Sequence, residues 1–267
     1  MTGIPLTTEL QELDAQMTRL GALVEHALIQ VLSALEMENR DKACAVVVGD
    51  TTIDDLHLAI QQHAFRTLIY HQPLAGRYVR YLTSLVPITN DLERIADEAE
   101  GIAQLFLRMV PYHNEREEAT SGEQGVQPQQ AHDEHRPPNI ESVVTQSPEK
   151  SLMQRILNLG QEVRSLLQRT MKAFTDRDGQ AARSIWQEDR VVNEGHYRVS
   201  QDLLAMLEGS QAVAALKSDP SILQQVTYML WMAYKLERMA DHCTNICESI
   251  VFLVEGETDI YATMARD

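Results

Sequence analysis

Two pairs of carboxylates, each spaced four residues apart, carry the residue types that could do chemistry. Asp50 and Asp54 form one pair and Glu93 and Asp97 the other, with Glu100 continuing the second by one turn. On a helix, residues four apart stack on one face, so each pair sets like charge against like charge. Bringing the two pairs together costs Coulomb repulsion unless a cation compensates the charge or a proton stays on. An all-oxygen donor set suits hard, multivalent ions, and clustered carboxylates that bridge can also hold iron, manganese, zinc or magnesium.

The pairs need helices to position them, and the apolar pattern supplies candidates. Leu10, Leu13, Met17, Leu20, Val24, Leu28, Val31 and Leu35 recur at steps of three, four and seven, which is one apolar stripe ending near Asn39, Arg40 and Asp41. A second helix is expected over 42–71, stopping before Pro73, and a third over 76–110, stopping at Pro111, with a kink at Pro87. Asp54 lies 20 residues before Leu74 and Asp97 lies 21 residues after Gly76. At about 1.5 Å per residue both sit roughly 30 Å from the turn, side by side on antiparallel helices.

The plan occurs twice. Leu20-Gly21-Ala22-Leu23-Val24 matches Leu159-Gly160-Gln161-Glu162-Val163 at an offset of 139, and Leu92-Glu93-Arg94-Ile95-Ala96-Asp97 matches Leu236-Glu237-Arg238-Met239-Ala240-Asp241 at an offset of 144. Helices are expected over 151–174, 180–208 and 220–254 in the second copy. The duplicated carboxylate set is Asp189 with Asn193 and Glu237 with Asp241, one charge poorer because asparagine stands at the fourth acid. One such pair alone is more often a solvated helix face; recurrence at matching positions favours metal. Arg94 and Arg238 follow the two glutamates, and pairing with local acids is the simpler role for them, pinning the ligating carboxylates the other.

Composition bounds the remaining possibilities. The chain has 267 residues, 39 acidic and 23 basic, for a formal charge of −16, which disfavours nucleic acid and anionic lipid as partners. No apolar run approaches the roughly 20 residues of a membrane span, and the start lacks a signal-peptide pattern, so a cytosolic protein is expected. Three cysteines, Cys44, Cys243 and Cys247, form no disulfide framework, and the latter two are expected as small core residues. His242 is expected at the surface or core edge, and Trp186, Trp231, Met229 and Met232 in the core. From 112 to 150 the apolar pattern gives way to Glu, Gln, His and Pro, with eight acids against three bases, a linker by composition. The expected organisation is therefore all-α, with two tandem, homologous three-helix bundles at 1–111 and 151–267 joined by 112–150. No G-x-G-x-x-G or Walker-type loop occurs, and no glutamate has a histidine three residues on, so the Glu-x-x-His signature of di-iron oxidases is absent.

The run Leu236-Glu237-Arg238-Met239-Ala240-Asp241-His242-Cys243-Thr244-Asn245-Ile246-Cys247-Glu248, with its first-half counterpart Asp91 to Asp97, resembles the PhoU family of phosphate-uptake regulators. The resemblance implies two tandem three-helix bundles, each binding a metal cluster through E/D-x-x-x-D motifs that fall here on Asp50, Asp54, Glu93, Asp97, Asp189, Asn193, Glu237 and Asp241. Ala96 and Ala240 stand where the family usually has glycine, and Gly101 stands where the second motif has Asn245. It further implies a non-enzymatic, cytoplasmic negative regulator, peripheral to the inner membrane. That regulator would link the ATPase subunit of a phosphate ABC transporter to a PhoR-type histidine kinase, and a homodimer is expected. A metal-dependent phosphoester hydrolase and an accessory subunit of another phosphate transporter are the alternatives.

Overall fold

A computed structural model describes residues 4–110, 148–188, 201 and 221–256, with side chains described from 152 in the fourth helix and from 223 in the last. Among the described residues there are six helices and no strand: α1 (Leu6–Glu36), α2 (Arg40–Tyr70), α3 (Gly76–Met109), α4 (Pro148–Asp176), α5 (Gly179–Gln187) and α6 (Ser221–Glu255). Segment 112–147, most of the expected linker, and Asp189 and Asn193 lie outside the described residues.

The stripe on α1 is the core. Leu13, Met17, Leu20, Val24, Leu28, Val31 and Leu35 are all buried, and Leu10 packs at the edge. Helix α3 buries more than one face: Leu85, Ile88, Leu92, Ile95, Ala99, Ile102 and Phe106 are buried, and so are Ser84, Asp91, Glu98 and Leu105, with Asp91 and Glu98 bonded to α6. It runs on through Pro87, which sits inside the helix without ending it.

The duplication extends to the turns. The α1–α2 turn places Glu38 at φ 51°, and the α4–α5 turn places Arg177 at φ 56°. These positions are 139 apart, and each is followed by a residue that closes the same pair of bonds. Asn39 N–H donates to Ala34 O at 2.9 Å and Asp178 N–H to Ala173 O at 3.0 Å, the six-to-one bond that ends a helix on a left-handed residue. The Asn39 side chain then accepts from Lys42 N, and the Asp178 side chain from Ala181 N, so each turn stops one helix and caps the next.

The two units share one continuous hydrophobic cluster. Helix α1 packs on α4 and α3 packs on α6, leaving α2 and α5 on the outside. A Cβ on Gly21 would lie 2.6 Å from Met171 Cε, and one on Gly160 would press on Leu32 Cδ2. Leu32 and Met171 are themselves 139 apart, so the same contact is made in both directions across a pseudo-twofold axis. The α3–α6 interface obeys the same symmetry at offset 144, but with polar groups. Lys235 Nζ donates to Glu98 Oε2 at 2.8 Å, and His242 Nδ1 lies 2.9 Å from Asp91 Oδ1. Asn245 Nδ2 donates to Asp91 Oδ1 at 3.3 Å, and its counterpart Gly101 leaves the space that the Lys235 chain crosses.

Two sequence expectations change here. His242 is buried at 6% exposure, an interface residue instead of a surface one. Arg238 pairs across the interface with an acid of the other unit: its Nη1 lies 2.8 Å from Glu98 Oε1 on α3. Of the residues expected in the core, Met229, Met232, Cys243 and Cys247 are buried and Trp186 packs against the cluster. Trp231 instead is 49% exposed, its ring tilted on Tyr228.

Candidate metal centre

Helix α2 carries Asp50 and Asp54 on the face beside Ile53, whose buried side chain fixes the helix rotation. Helix α3, running antiparallel, carries Glu93, Asp97 and Glu100 beside the buried Leu92, Ile95 and Ala96. The burial of these apolar neighbours leaves the acids no choice but the rim. Oxygen atoms of Asp50, Asp54 and Asp97 come within 4.8 Å of one another. Asp50, Asp54, Glu93 and Glu100 are half-buried and Asp97 is exposed.

Electrostatics confirm that the charges are concentrated. Partial burial, then Asp54, Glu100, Asp97 and Glu93, push the Asp50 carboxyl up to about 6. Burial, then Glu93, Asp54, Glu100 and Glu98, push Asp97 up to about 6 as well. Among the described residues no lysine or arginine is ion-paired to Asp50, Asp54 or Asp97; the nearby Gln104 Nε2 donates to Glu100 Oε1 at 2.8 Å. The donor set is thus all-oxygen, open to solvent on one side and short of positive charge, which fits a multivalent cation that keeps some water ligands.

In the second unit the structure places only the α6 half of the corresponding set. Glu237 is half-buried and Asp241 exposed, four residues apart on α6 as Glu93 and Asp97 are on α3. Arg94 is exposed, and Arg238 and Asn245 reach across to Glu98 and Asp91 on α3. Sequence reasoning missed the interface charges Asp91, Glu98 and Lys235. Their signal was present: Ser84, Asp91, Glu98 and Leu105 form a strict seven-residue repeat on α3 and all four are buried.

A model of the PhoU domain matches this chain twice, over residues 17–106 and 156–250. The chain belongs to the PhoU family. It is 28% identical over 250 residues to the phosphate-specific transport system accessory protein PhoU homolog of Caulobacter vibrioides, covering 93% of this chain and 89% of that one. The homolog of the same name from Clostridium acetobutylicum is 25% identical over 257 residues, 96% of this chain and 97% of that one. Among solved structures, the phosphate transport system regulatory protein PhoU from Streptococcus pneumoniae superposes with a TM-score of 0.70 at 25% identity, covering 96% of this chain and 99% of that one. The two PhoU matches fall on the two halves that the sequence repeat defines. Of the four first-unit residues expected as ligands, the α2–α3 pairing gathers Asp50, Asp54 and Asp97, and Glu93 lies outside the close group.

Proposed function

We propose that this chain is an accessory protein of a phosphate-specific transport system. In this role it acts as a negative regulator between the ATPase subunit of the phosphate ABC transporter and a PhoR-type histidine kinase. What carries the proposal is the doubled PhoU match together with relatives bearing that name over nearly their whole length. Among the described residues no helix is long and apolar enough to cross a membrane. In this reading contact with the transporter is made through protein partners at the cytoplasmic face.

In this reading the α2–α3 carboxylates hold iron, manganese, zinc or magnesium as a structural or regulatory charge. Asp50, Asp54 and Asp97 supply the oxygens, and Glu93 and Glu100 add negative potential beside them. No bond is made or broken; the ion turns a repelling acidic rim into a compact surface that a partner can meet. Deletion of the gene tests the role. Derepressed phosphate-starvation transcription and raised polyphosphate during phosphate-replete growth are expected, and unchanged levels of both would overturn it.

A further inference from the structure

A second cluster of metal-ligating side chains lies between α1 and α2, away from the acidic rim. Glu9 and Glu12 are three residues apart on α1, and antiparallel α2 brings His63 opposite them. One oxygen of each carboxylate and one ring nitrogen of His63 lie within 4.8 Å of one another. His63 is nine residues beyond Asp54, which places it about 13 Å further along the helix. The two clusters are therefore separate.

The orientation of the imidazole is set independently. His63 is buried at 5% exposure, and its Nδ1 lies 3.1 Å from Gln16 Oε1. An amide oxygen only accepts, so Nδ1–H donates to Gln16 Oε1, and Nε2 is the ring atom that faces the Glu9 carboxylate, which it contacts closely. A metal ion bound there would take the place of the proton that Nε2 shares with the Glu9 carboxylate. This is the way metal-bound histidines are held: the remote N–H is fixed by an acceptor and the other nitrogen is aimed at the ion.

We propose that Glu9, Glu12 and His63 form a site for a divalent transition-metal ion of the zinc class. One nitrogen and two carboxylate oxygens suit such ions over magnesium or calcium. Exposed Glu12 leaves a coordination position on the solvent side, and the ion would tie the first turns of α1 to the last third of α2.

The experiment uses the full chain, stripped of metal, carrying Asp54→Asn, Asp97→Asn, Glu237→Gln and Asp241→Asn to silence the carboxylate set of each unit, and titrated with Co²⁺ and Zn²⁺. One equivalent of Co²⁺ with visible absorption bands is expected, with Zn²⁺ displacing it and Mg²⁺ failing to. Glu12→Gln, at an exposed position that leaves the core untouched, weakens binding at least about tenfold, and Gln16→Leu weakens it roughly 10- to 100-fold by releasing the ring. No band and no heat of binding at millimolar Co²⁺ would overturn the proposal. So would Co²⁺ binding that neither Glu12→Gln nor Gln16→Leu changes.

Discussion

Met171 of α4 fills the space left by the missing side chain of Gly21 on α1, and the symmetry-related Leu32 does the same at Gly160. Each unit's first helix thus supplies both a notch and the knob that fills its partner's notch. The glycines are spaced for this crossing and are not turn residues.

Replacing Gly21 with alanine is therefore expected to cost stability although it improves helix propensity. Alanine gains about 1 kcal/mol over glycine in a helix interior. Crowding Met171 costs about 1–3 kcal/mol against that, and a net loss is expected at Gly160 as well, where the closer approach of Leu32 makes the larger effect. Urea unfolding of both variants checks the order; a stabilised Gly160→Ala would show that α1 and α4 do not cross there.

The α3–α6 charges give an asymmetric prediction. Glu98 is buried while its partners Lys235 and Arg238 reach solvent. Removing both cations strands a buried carboxylate and is expected to cost about 3–5 kcal/mol. Glu98→Gln leaves the cations free to swing out, so the loss is about 1–2 kcal/mol. Equilibrium denaturation of Lys235→Ala/Arg238→Ala beside Glu98→Gln measures the difference, and equal losses would contradict the assigned burial.

The two turns should respond alike. Asn39→Ala and Asp178→Ala each remove one side-chain acceptor at a helix start, and each is expected to cost about 1 kcal/mol. Thermal melts of the single and double variants should be additive, since the caps lie at separate turns.

For the acidic rim the direction with pH is fixed by the sign of the shifts. Asp50 and Asp97 titrate near 6 in the fold, above their unfolded values near 4, so the fold favours their protonated forms. That contribution is complete below about pH 4 and is lost as pH rises through about 6. In metal-free protein, Asp50→Asn/Asp97→Asn is accordingly expected to gain on the wild type between pH 4 and 6 and to hold that gain above. Saturating cation should reverse the order at neutral pH, because only the wild type binds it.

Metal content closes the set. Protein purified without chelator or affinity tag is expected to lose metal in Asp97→Ala, with a smaller loss in Glu93→Ala, whose oxygen does not join the close group. Elemental analysis reads both. Unchanged content in Asp97→Ala would remove the α2–α3 centre.

The sequence alone determined the three helices of the first unit, the first and last of the second, the duplication and the α2–α3 acidic rim; of the helix expected over 180–208 the described part is Gly179–Gln187. Apolar periodicity, caps and i, i+4 spacing are local, and the arithmetic of an antiparallel hairpin carries a residue reliably across a short turn. That is why Asp54 and Asp97 could be paired by counting. Tertiary structure alone decided how the units meet. Asp91 and His242 are 151 residues apart, and nothing local distinguishes a buried acid from a solvated one. Glu9 and His63 likewise meet only because α1 and α2 are packed in one register. The repeat shows that the halves are alike, and their differences show why they pair with each other. Joining two first units would oppose Asp91 to Glu98, two acids, and joining two second units would oppose Lys235 to His242. Within one chain the same positions bring acid to base, and that complementarity exists only once both halves are folded against each other.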